Sequence, residues 1–416
     1  MQAELTAVAH ELMTVVEPGF DHLTLRASCS GGGSSYRLTS EQDLYGGSLS
    51  PQTLGAVGVN RPVVFEMRVN ADGTFYALVT EKIIQSTSFL PPTYTVVLKS
   101  RPVRAHEASS LADVEAAIGA SLPAEVHELY ASGREIDDAQ LYSPADILLT
   151  WNLYARMADE DPRDWYQPVL YDGPRGAVRT VSFHPLWVPF ASNDWGDNLC
   201  IDLAPGPNGQ VGQVIQLAGE SPLRYLADSV ANLVMPDEDL GTEGLEDHFD
   251  VAGRGQDGMA VLPPTIQKLS LREPGDLDFG VLSHLTSLRQ LHVVRGGSVR
   301  LGALAHLPLE RLEVTGDEIE LPACETLTSL VVAGGARVEL PALPNLRMLD
   351  VSDAEVEVES LPKVQYLVLN GEQWQRCSQT PAAATLTGES SLARALVWAS
   401  ERGVELSRQM ISGRVG

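Results

Sequence analysis

The sequence predicts an α+β protein built from three folded parts and one linker. Three observations support this class: a helix-spaced N-terminal stretch is followed by short alternating runs, residues 183–217 read as three consecutive strands, and residues 263–371 repeat a strand pattern. Alternating runs between turn residues indicate antiparallel sheets, whereas a fixed repeat period indicates a solenoid. The predicted parts are an N-terminal α+β domain (1–105), a central sheet with flanking helices (106–236), an acidic Gly-rich linker (237–262) and a short solenoid with a C-terminal capping helix (263–416).

Composition narrows the class of partner. The 416 residues carry a formal net charge of −26, which speaks against nucleic-acid binding because that function needs clustered Lys and Arg. The same charge favours fast encounter with a basic partner, although many soluble proteins are acidic without having one. The four cysteines, at positions 29, 200, 324 and 377, have neither the spacing of a zinc site nor that of a disulfide framework.

The N-terminus has acidic residues and no basic region before its apolar stretch, so we do not expect a signal peptide. No apolar run approaches the roughly 18 residues that a membrane-spanning helix needs. The expectation is a cytoplasmic protein without a membrane partner.

The N-terminal part reads as one helix followed by a sheet. Residues 4–16 have apolar side chains at helical spacing, and Glu17-Pro18-Gly19 ends that helix. Alternating runs follow at 20–28, 35–39, 62–69 and 74–79. The last two runs are joined by residues 70–73, Asn-Ala-Asp-Gly, which is a strong hairpin signal.

The central part reads as helices followed by a β-meander. Helices are predicted at 111–118, from Pro123 onward and through 142–157. The meander has strands at 183–190, 198–203 and 210–217, joined by turns rich in Gly, Pro, Asn and Asp.

The amino-acid sequence of the meander resembles that of a known protein family. Residues 187–217, WVPFASNDWGDNLCIDLAPGPNGQVGQVIQL, are similar to the central segment of the SMI1/KNR4, or SUKH, family, with its G-D-x-x-C-x-D strand and P-G-x-x-G-x-x-G-Q-V-I hairpin. Residues 114–130 resemble its opening helices and residues 221–234 its closing helix. The resemblance implies a SUKH-like sheet over roughly 108–236. For many bacterial members it implies a toxin-neutralising immunity protein, and for other relatives a role in cell-wall regulation.

The C-terminal part is a repeat. Six copies, IQKLSL, LRQLHV, LERLEV, LTSLVV, LRMLDV and VQYLVL, start at residues 266, 288, 309, 327, 346 and 364. They resemble leucine-rich repeats, whose strands carry L-x-x-L-x-L. The copies are short and mostly lack the usual asparagine, so the convex side is expected to be extended or turn-like. Residues 390–402 have helical spacing and are predicted to cap the solenoid.

Several residues invite a catalytic interpretation. Asp194, Asp197 and Asp202 could serve a metal or acid–base chemistry, but turns favour Asp for backbone reasons, and strand alternation turns Asp202 away from its apolar neighbours. His184 has no paired nucleophile motif. The three glycines of 205–212 join two strands instead of opening a helix, so they do not form a phosphate loop. We therefore expect no catalytic residue, metal or cofactor, and a protein that is not an enzyme.

Two surfaces are predicted to bind a partner. The first is the hairpin tip, where one large aromatic stands among carboxylates: Asn193, Asp194, Trp195 and Asp197. The alternative is that Trp195 folds back onto the sheet. The second is the concave face of the solenoid, where alternation predicts ladders of non-leucine side chains. On this face, the residues predicted to bind a protein partner are His292, Arg311, Asp350 and Tyr366.

The resulting hypothesis is a non-enzymatic binding protein, in the first place a bacterial immunity protein that neutralises a cognate toxin, which could be a basic nuclease. The alternative is an intracellular scaffold or regulator, for example of cell-wall synthesis, that uses the repeats as a docking surface. A neighbouring toxin gene would favour the first, and neighbouring cell-wall genes the second.

Overall fold

The computed structural model of the chain is a mixed α+β protein with several sheets. It describes residues 1–15, 20–30, 33–40, 43–44, 48–59, 62–81, 83–86, 91–99, 107–160, 167–193, 196–217, 222–235, 244–250, 256–273, 277–335, 337–405 and 408–415. Contacts divide the chain into two compact units. The terminal unit holds Met1–Lys99, Val358–Ser360 and Gln365–Gly416, and the middle unit holds Ser100–Glu357 and Leu361–Val364. This grouping cuts across the predicted domain boundaries.

The elements are as follows. The α-helices are α1 (Gln2–Val15), α2 (Pro51–Val57), α3 (Leu111–Ile118), α4 (Ala124–Ser132), α5 (Pro144–Glu160), α6 (Gly371–Arg376) and α7 (Leu392–Glu401). The strands are β1 (His22–Ser30), β2 (Gly33–Ser40), β3 (Asp43–Leu44), β4 (Val63–Asn70), β5 (Thr74–Thr80), β6 (Ile84–Ser86), β7 (Thr93–Val97), β8 (Ala139–Leu141), β9 (Tyr171–Asp172), β10 (Trp187–Asn193), β11 (Asn198–Asp202), β12 (Gln213–Leu217), β13 (Leu223–Ala227), β14 (Glu246–Asp250), β15 (Lys268–Arg272), β16 (Gln290–Arg300), β17 (Arg311–Glu320), β18 (Ser329–Ala333), β19 (Met348–Asp350), β20 (Tyr366–Asn370), β21 (Ala383–Thr387) and β22 (Arg408–Arg414). Short 3-10 turns lie at Val230–Asn232, Gln256–Val261, Phe279–His284, Gly302–Leu304 and Val358–Ser360. Among the described helices, none is long and apolar enough to cross a membrane.

The terminal unit contains the predicted helix and alternating strands. Its sheet has the order β22-β5-β4-β1-β2-β3, and α1 buries the apolar face that its spacing predicted, including Leu5 and Leu12. The hairpin between β4 and β5 turns at Gly73, whose φ of 80° is the left-handed conformation that glycine adopts without strain. Helix α2 and strand β22 were not predicted.

The rest of the terminal unit is a smaller group of strands. Strand β20 pairs parallel with β21, β21 pairs antiparallel with β7, and β7 pairs antiparallel with β6. Helix α7 is the helix predicted at 390–402, and its buried face holds Leu392 and Leu396.

The first half of the middle unit is a second sheet, in the order β8-β10-β11-β12-β13-β9. The predicted meander forms β10, β11 and β12, which pair antiparallel in sequence. Helix α3 begins at a capping box between Ser110 and Asp113 and ends at Gly119, whose φ is 76°. The expected closing helix at 221–234 is wrong. These residues form β13 and a 3-10 turn instead, because β12 would otherwise have an unpaired edge, which β13 covers in antiparallel register.

The second half of the middle unit is a run of parallel strands. From β14 to β19, consecutive strands pair with each other in parallel. Strand β14 lies inside the segment predicted as an acidic, Gly-rich, solvated linker, which corrects that expectation for residues 246–250. The acidic residues of this segment made a strand hard to predict from the sequence. In that strand Phe249 is 1% exposed, and Glu246 lies opposite Lys268 of β15.

Candidate protein-binding surface

The hairpin between β10 and β11 is closed by two of the predicted site residues. The Asp197 backbone amide donates to Asn193 Oδ1 at 2.8 Å, and Asn193 Nδ2 donates to Asp197 Oδ2 at 3.1 Å. Gln216 Nε2 donates to the same carboxylate oxygen at 2.7 Å. These bonds hold Asn193 and Asp197 as turn-forming residues, so the Asp197 carboxylate is directed toward the sheet. The other two residues predicted at this tip, Asp194 and Trp195, lie outside the described residues.

Asp202 occupies the middle of a row of polar side chains that crosses three strands. It lies directly opposite Trp187 on β10 and Gln213 on β12. Its Oδ1 accepts from Trp187 Nε1 at 2.9 Å and from the Ala204 amide at 2.8 Å, and its Oδ2 accepts from Gln213 Nε2 at 2.7 Å. Burial raises the pKa of Asp202 above its usual value of 3.8, and the three hydrogen bonds oppose that rise.

Strand alternation sends Asp202 to the face opposite its apolar neighbours, as predicted, yet this face is buried as well. Asp202 has no exposed surface, because the backbone around Ala177 covers the hairpin. The carbonyl of Ala177 accepts from Gln213 Nε2 at 2.8 Å and from the Gly206 amide at 2.9 Å. A Cβ on Gly209 would lie 2.0 Å from that carbonyl oxygen. The glycines of the motif therefore permit a close backbone approach, and the carboxylate between the strands is structural.

His184 is held in the same region. Its Nδ1 accepts a hydrogen bond from the Leu186 amide at 3.1 Å, and its ring centroid lies 6.2 Å from that of Trp187. This position is the one expected of a packed histidine.

The parallel strands align the predicted ladders in register. The first row is Lys268, Gln290, Arg311, Ser329 and Met348, and the second is Ser270, His292, Glu313, Val331 and Asp350. The leucines between the rows, Leu269, Leu291, Leu312, Leu330 and Leu349, are at most 1% exposed. The alternation of the repeated strand thus places leucines in the core and mixed side chains on the other face.

The first row is in contact with the segment that precedes the meander. Gln290 Nε2 donates to the Pro168 carbonyl at 3.0 Å, and Arg289 Nη2 donates to the Val169 carbonyl at 2.7 Å. Gln290 and Arg289 are 6% and 9% exposed. A buried guanidinium needs hydrogen-bond acceptors on its nitrogens, and the Val169 carbonyl is one of them.

Two further groups complete this contact. Gln267 Oε1 accepts from the Tyr171 amide at 3.0 Å, and Gln267 Nε2 donates to the Tyr171 carbonyl at 2.6 Å. Thr180 Oγ1 donates to Glu310 Oε2 at 2.7 Å, the oxygen that also lies 3.2 Å from Arg289 Nη2. The contact is a polar network that repeats across three parallel strands.

Arg311 and His292, two of the predicted gripping residues, come together on Glu313. Arg311 Nη2 donates to Glu313 Oε1 at 2.6 Å, and His292 Nε2 lies 3.5 Å from Glu313 Oε2. Arg311 also donates to Gln167 Oε1 at 2.6 Å. Burial lowers the pKa of His292, and the neighbouring carboxylate of Glu313 opposes that shift. His292 keeps 43% of its side chain exposed, so this cluster faces solvent beside the contact.

The other two predicted gripping residues are not on the surface. Asp350 is 7% exposed and its Oδ1 accepts from the amide and hydroxyl of Ser352, which closes the turn after β19. Tyr366 is 3% exposed and its hydroxyl lies 2.8 Å from Thr385 Oγ1. The expectation that both side chains face solvent is therefore wrong.

Comparison with known proteins assigns the meander and its helices. Residues 107–234 match the model of the SMI1 / KNR4 family (SUKH-1). This part of the chain is an SMI1/KNR4 domain. The matched range contains Trp187, Asp202 and Gln213, the three residues of the buried row described above.

Similar proteins in fungi share short stretches with the chain. The "Cell wall biosynthesis/cell cycle regulator smi1" of Schizosaccharomyces pombe is 49% identical over 53 residues, covering 13% of this chain and 10% of that protein. The "Glucan synthesis regulatory protein" of Neurospora crassa is 36% identical over 85 residues, 19% of this chain and 16% of that protein. The "Cell wall assembly regulator SMI1" of Saccharomyces cerevisiae is 36% identical over 53 residues, 13% and 10% respectively. The chain thus spans less than a fifth of the length of each of these relatives.

The SMI1/KNR4 domain therefore contacts the parallel sheet through residues that were not predicted from the sequence. Gln267, Arg289 and Glu310 each stand one position before the first row, in three consecutive copies of the repeat. The recurrence of a polar side chain at the same position of three consecutive repeats is the sequence signal that could have indicated this contact. On this sheet face, His292 is 43% exposed and has Glu313 beside it, so this pair is accessible next to the domain.

Proposed function

We propose that this protein is a non-enzymatic protein-binding regulator in which the SMI1/KNR4 domain and the parallel sheet act as one docking unit. Residues 263–371 are interpreted as short leucine-rich repeats in this proposal. The in-register strands and their buried leucines support that interpretation, because solenoid repeats stack neighbouring strands to share one core.

The observation that carries the proposal is the SMI1/KNR4 domain, because the fungal relatives that match it are named as regulators of cell-wall or glucan synthesis. Those names favour the scaffold-or-regulator hypothesis over toxin neutralisation. Neutralisation of a basic toxin stays a prediction from the acidic charge and the family resemblance.

The binding surface that we propose is the exposed cluster beside the domain, formed by His292 and Glu313 of the second row and Arg311 of the first. The imidazole of His292 and the guanidinium of Arg311 both lie against the carboxylate of Glu313. Such a mixed-charge cluster suits polar recognition at the rim of a protein interface.

The proposal is tested in the source organism. Deleting the gene is expected to change sensitivity to compounds that act on the cell wall, and the wild-type chain should restore it. A His292→Ala/Glu313→Ala double variant should restore it poorly although it melts like wild type, whereas Arg300→Ala, on an exposed arginine of the same sheet, should restore it fully.

Two outcomes would overturn the proposal. One is an unchanged response to wall-directed compounds after deletion. The other is a deletion strain that is poisoned by a toxin encoded nearby and is protected by the chain, which would establish the immunity function instead.

A further inference from the structure

A groove lies between the end of β17 and residues 337–341, within the parallel-strand half of the middle unit. Its volume is about 500 Å³, which falls in the range of about 300–1,000 Å³ that is typical of binding sites. Its apolar lining is formed by four side chains: Ile319, Leu321, Leu340 and Pro341. Ile319 and Leu321 are 8% and 9% exposed and form the floor, whereas Leu340 and Pro341 are half-buried.

Two carboxylates line the same groove. Glu320 and Glu339 are both exposed. Within the part of the chain that the structure describes, neither carboxylate forms an ion pair. An apolar floor beside two carboxylates without a cationic partner is suited to a ligand that has both apolar and positively charged groups.

The guanidinium of Arg337 also lines the groove, but it stands in a row of opposite charges. Arg337 lies between Glu318 and Glu355 in parallel register, and side chains at in-register positions of neighbouring strands share one face of a sheet. The two carboxylates of its own row therefore offset the charge of Arg337, and Glu320 and Glu339 keep theirs.

The strand segments around the groove are acidic as a group. Residues 298–300, 317–320, 337–339 and 355–357 contain six carboxylates and two guanidinium groups, which is a net charge of −4: Asp317, Glu318, Glu320, Glu339, Glu355 and Glu357 against Arg300 and Arg337. The field at the groove therefore attracts cations.

We propose that this groove binds an extended basic segment of a partner protein, with an aliphatic side chain on the apolar floor and a Lys or Arg against Glu320 and Glu339. An aliphatic side chain removes apolar surface from water when it covers the floor. The stem of a Lys or Arg can cover Leu340 while its charged end stays beside the carboxylates. This surface is separate from the His292 and Glu313 cluster, and the proposal does not depend on the regulatory function proposed above.

Two other occupants fit the groove less well. A second copy of the chain would bring its own net charge of −26, and like charges oppose association. An anionic ligand would find a cation in Arg337 but would also meet Glu320 and Glu339. The charges therefore favour a basic segment.

The first test uses a fluorescent peptide of alternating lysine and leucine with blocked ends, and measures its binding to the full chain by anisotropy at two salt concentrations. The wild-type chain is expected to bind the peptide, and to bind it more weakly at the higher salt because ions screen the attraction. A Glu320→Gln/Glu339→Gln double variant should bind it at least tenfold more weakly. The matched control, Glu125→Gln/Glu128→Gln, removes two exposed carboxylates of α4 and should change the affinity less than twofold.

The second test separates the apolar floor from the charges. Leu340→Asn should weaken binding of the lysine–leucine peptide at least threefold. A lysine–serine peptide should bind the wild-type chain and this variant with affinities that agree within twofold. Arg337→Gln removes a charge that repels the peptide and should strengthen binding at least twofold. Thermal melts check that each variant is folded.

A Glu320→Gln/Glu339→Gln variant that binds the peptide as the wild-type chain does would overturn the proposal, and so would an equal loss in the α4 control, because the peptide would then bind to acidic surface in general. A wild-type chain that does not bind the peptide would overturn it as well. Loss of binding in Arg337→Gln, or stronger binding of a glutamate–leucine peptide by the wild-type chain, would show that the groove takes an anionic ligand instead.

Discussion

Asp202 is a carboxylate with no exposed surface, held between a tryptophan, a glutamine and a backbone amide. Burying a carboxylate is costly unless its oxygens accept hydrogen bonds, and the three donors here provide that compensation. The G-D-x-x-C-x-D motif and the glycine-rich hairpin thus act together, because the hairpin glycines let the Ala177 backbone close over the carboxylate.

The pH dependence of folding should report on Asp202. Because its folded pKa lies above the usual 3.8, this group contributes stability that is fully present below that value. The contribution is lost as pH rises through the folded pKa. The free energy of unfolding of wild type minus that of Asp202→Asn is therefore expected to fall as pH rises from about 4 to about 7.

Guanidinium unfolding of both proteins across this pH range measures the difference. A difference that stays flat or grows with pH would contradict the assignment of burial as the dominant cause of the shift. Val211→Ala changes an exposed side chain of the same domain that carries no ionisable group, so it serves as the control and should give a nearly constant difference.

At the scale of elements, Arg289 lies at the centre of the contact between the SMI1/KNR4 domain and the parallel strands. Arg289 donates to Gln267 Oε1 at 2.8 Å and to the Val169 carbonyl at 2.7 Å, and it lies 3.2 Å from a Glu310 oxygen. Its side chain therefore joins two strands of the sheet to the segment in front of the meander.

Replacing Arg289 should loosen that contact without unfolding the domain. Arg289→Met keeps much of the apolar length but removes the donors, and hydrogen bonds to a charged group contribute about 1.5–3 kcal/mol. Hydrogen–deuterium exchange is expected to rise at residues 167–171 while the amides of β11 and β12 keep their protection. Equal increases in both places, or an equal effect from the exposed control Arg300→Met, would show that Arg289 does not hold this contact.

At the scale of the whole molecule, the two ends of the chain meet in the terminal unit. Strand β22 pairs antiparallel with β5 from Arg408 to Arg414, and Gln2 Nε2 donates to the Ser412 carbonyl at 3.0 Å. Gly413 lies against the Phe75 ring, where a Cβ would come within 2.6 Å of a ring carbon. The last strand thus covers the edge that β5 would otherwise expose.

Removing residues 408–416 should destabilise the terminal unit. The loss of strand pairing is expected to cost about 2 kcal/mol and to promote aggregation, because an uncovered strand edge can pair with other chains. Thermal unfolding and light scattering measure both effects. The full-length control Met410→Ser changes a side chain that is 71% exposed and should leave stability nearly unchanged; a truncated chain that melts like this control would show that β22 adds no stability.

The sequence by itself determined the features that depend on local patterns. The spacing of Leu269, Leu291 and Leu312 predicted repeated strands with a shared leucine core, and turn residues predicted the antiparallel meander. The helical spacing of residues 111–118 likewise predicted helix α3. Each of these signals acts over a few residues or one repeat, so no knowledge of the rest of the chain was needed.

Only the tertiary structure decided which polar side chains face solvent. Alternation gives the face of a strand on which a side chain stands, but what covers that face comes from residues far away in sequence. Ala177 covers Asp202, and Val169 meets Arg289. For the same reason the sequence placed Asp350 and Tyr366 on the surface although both are buried.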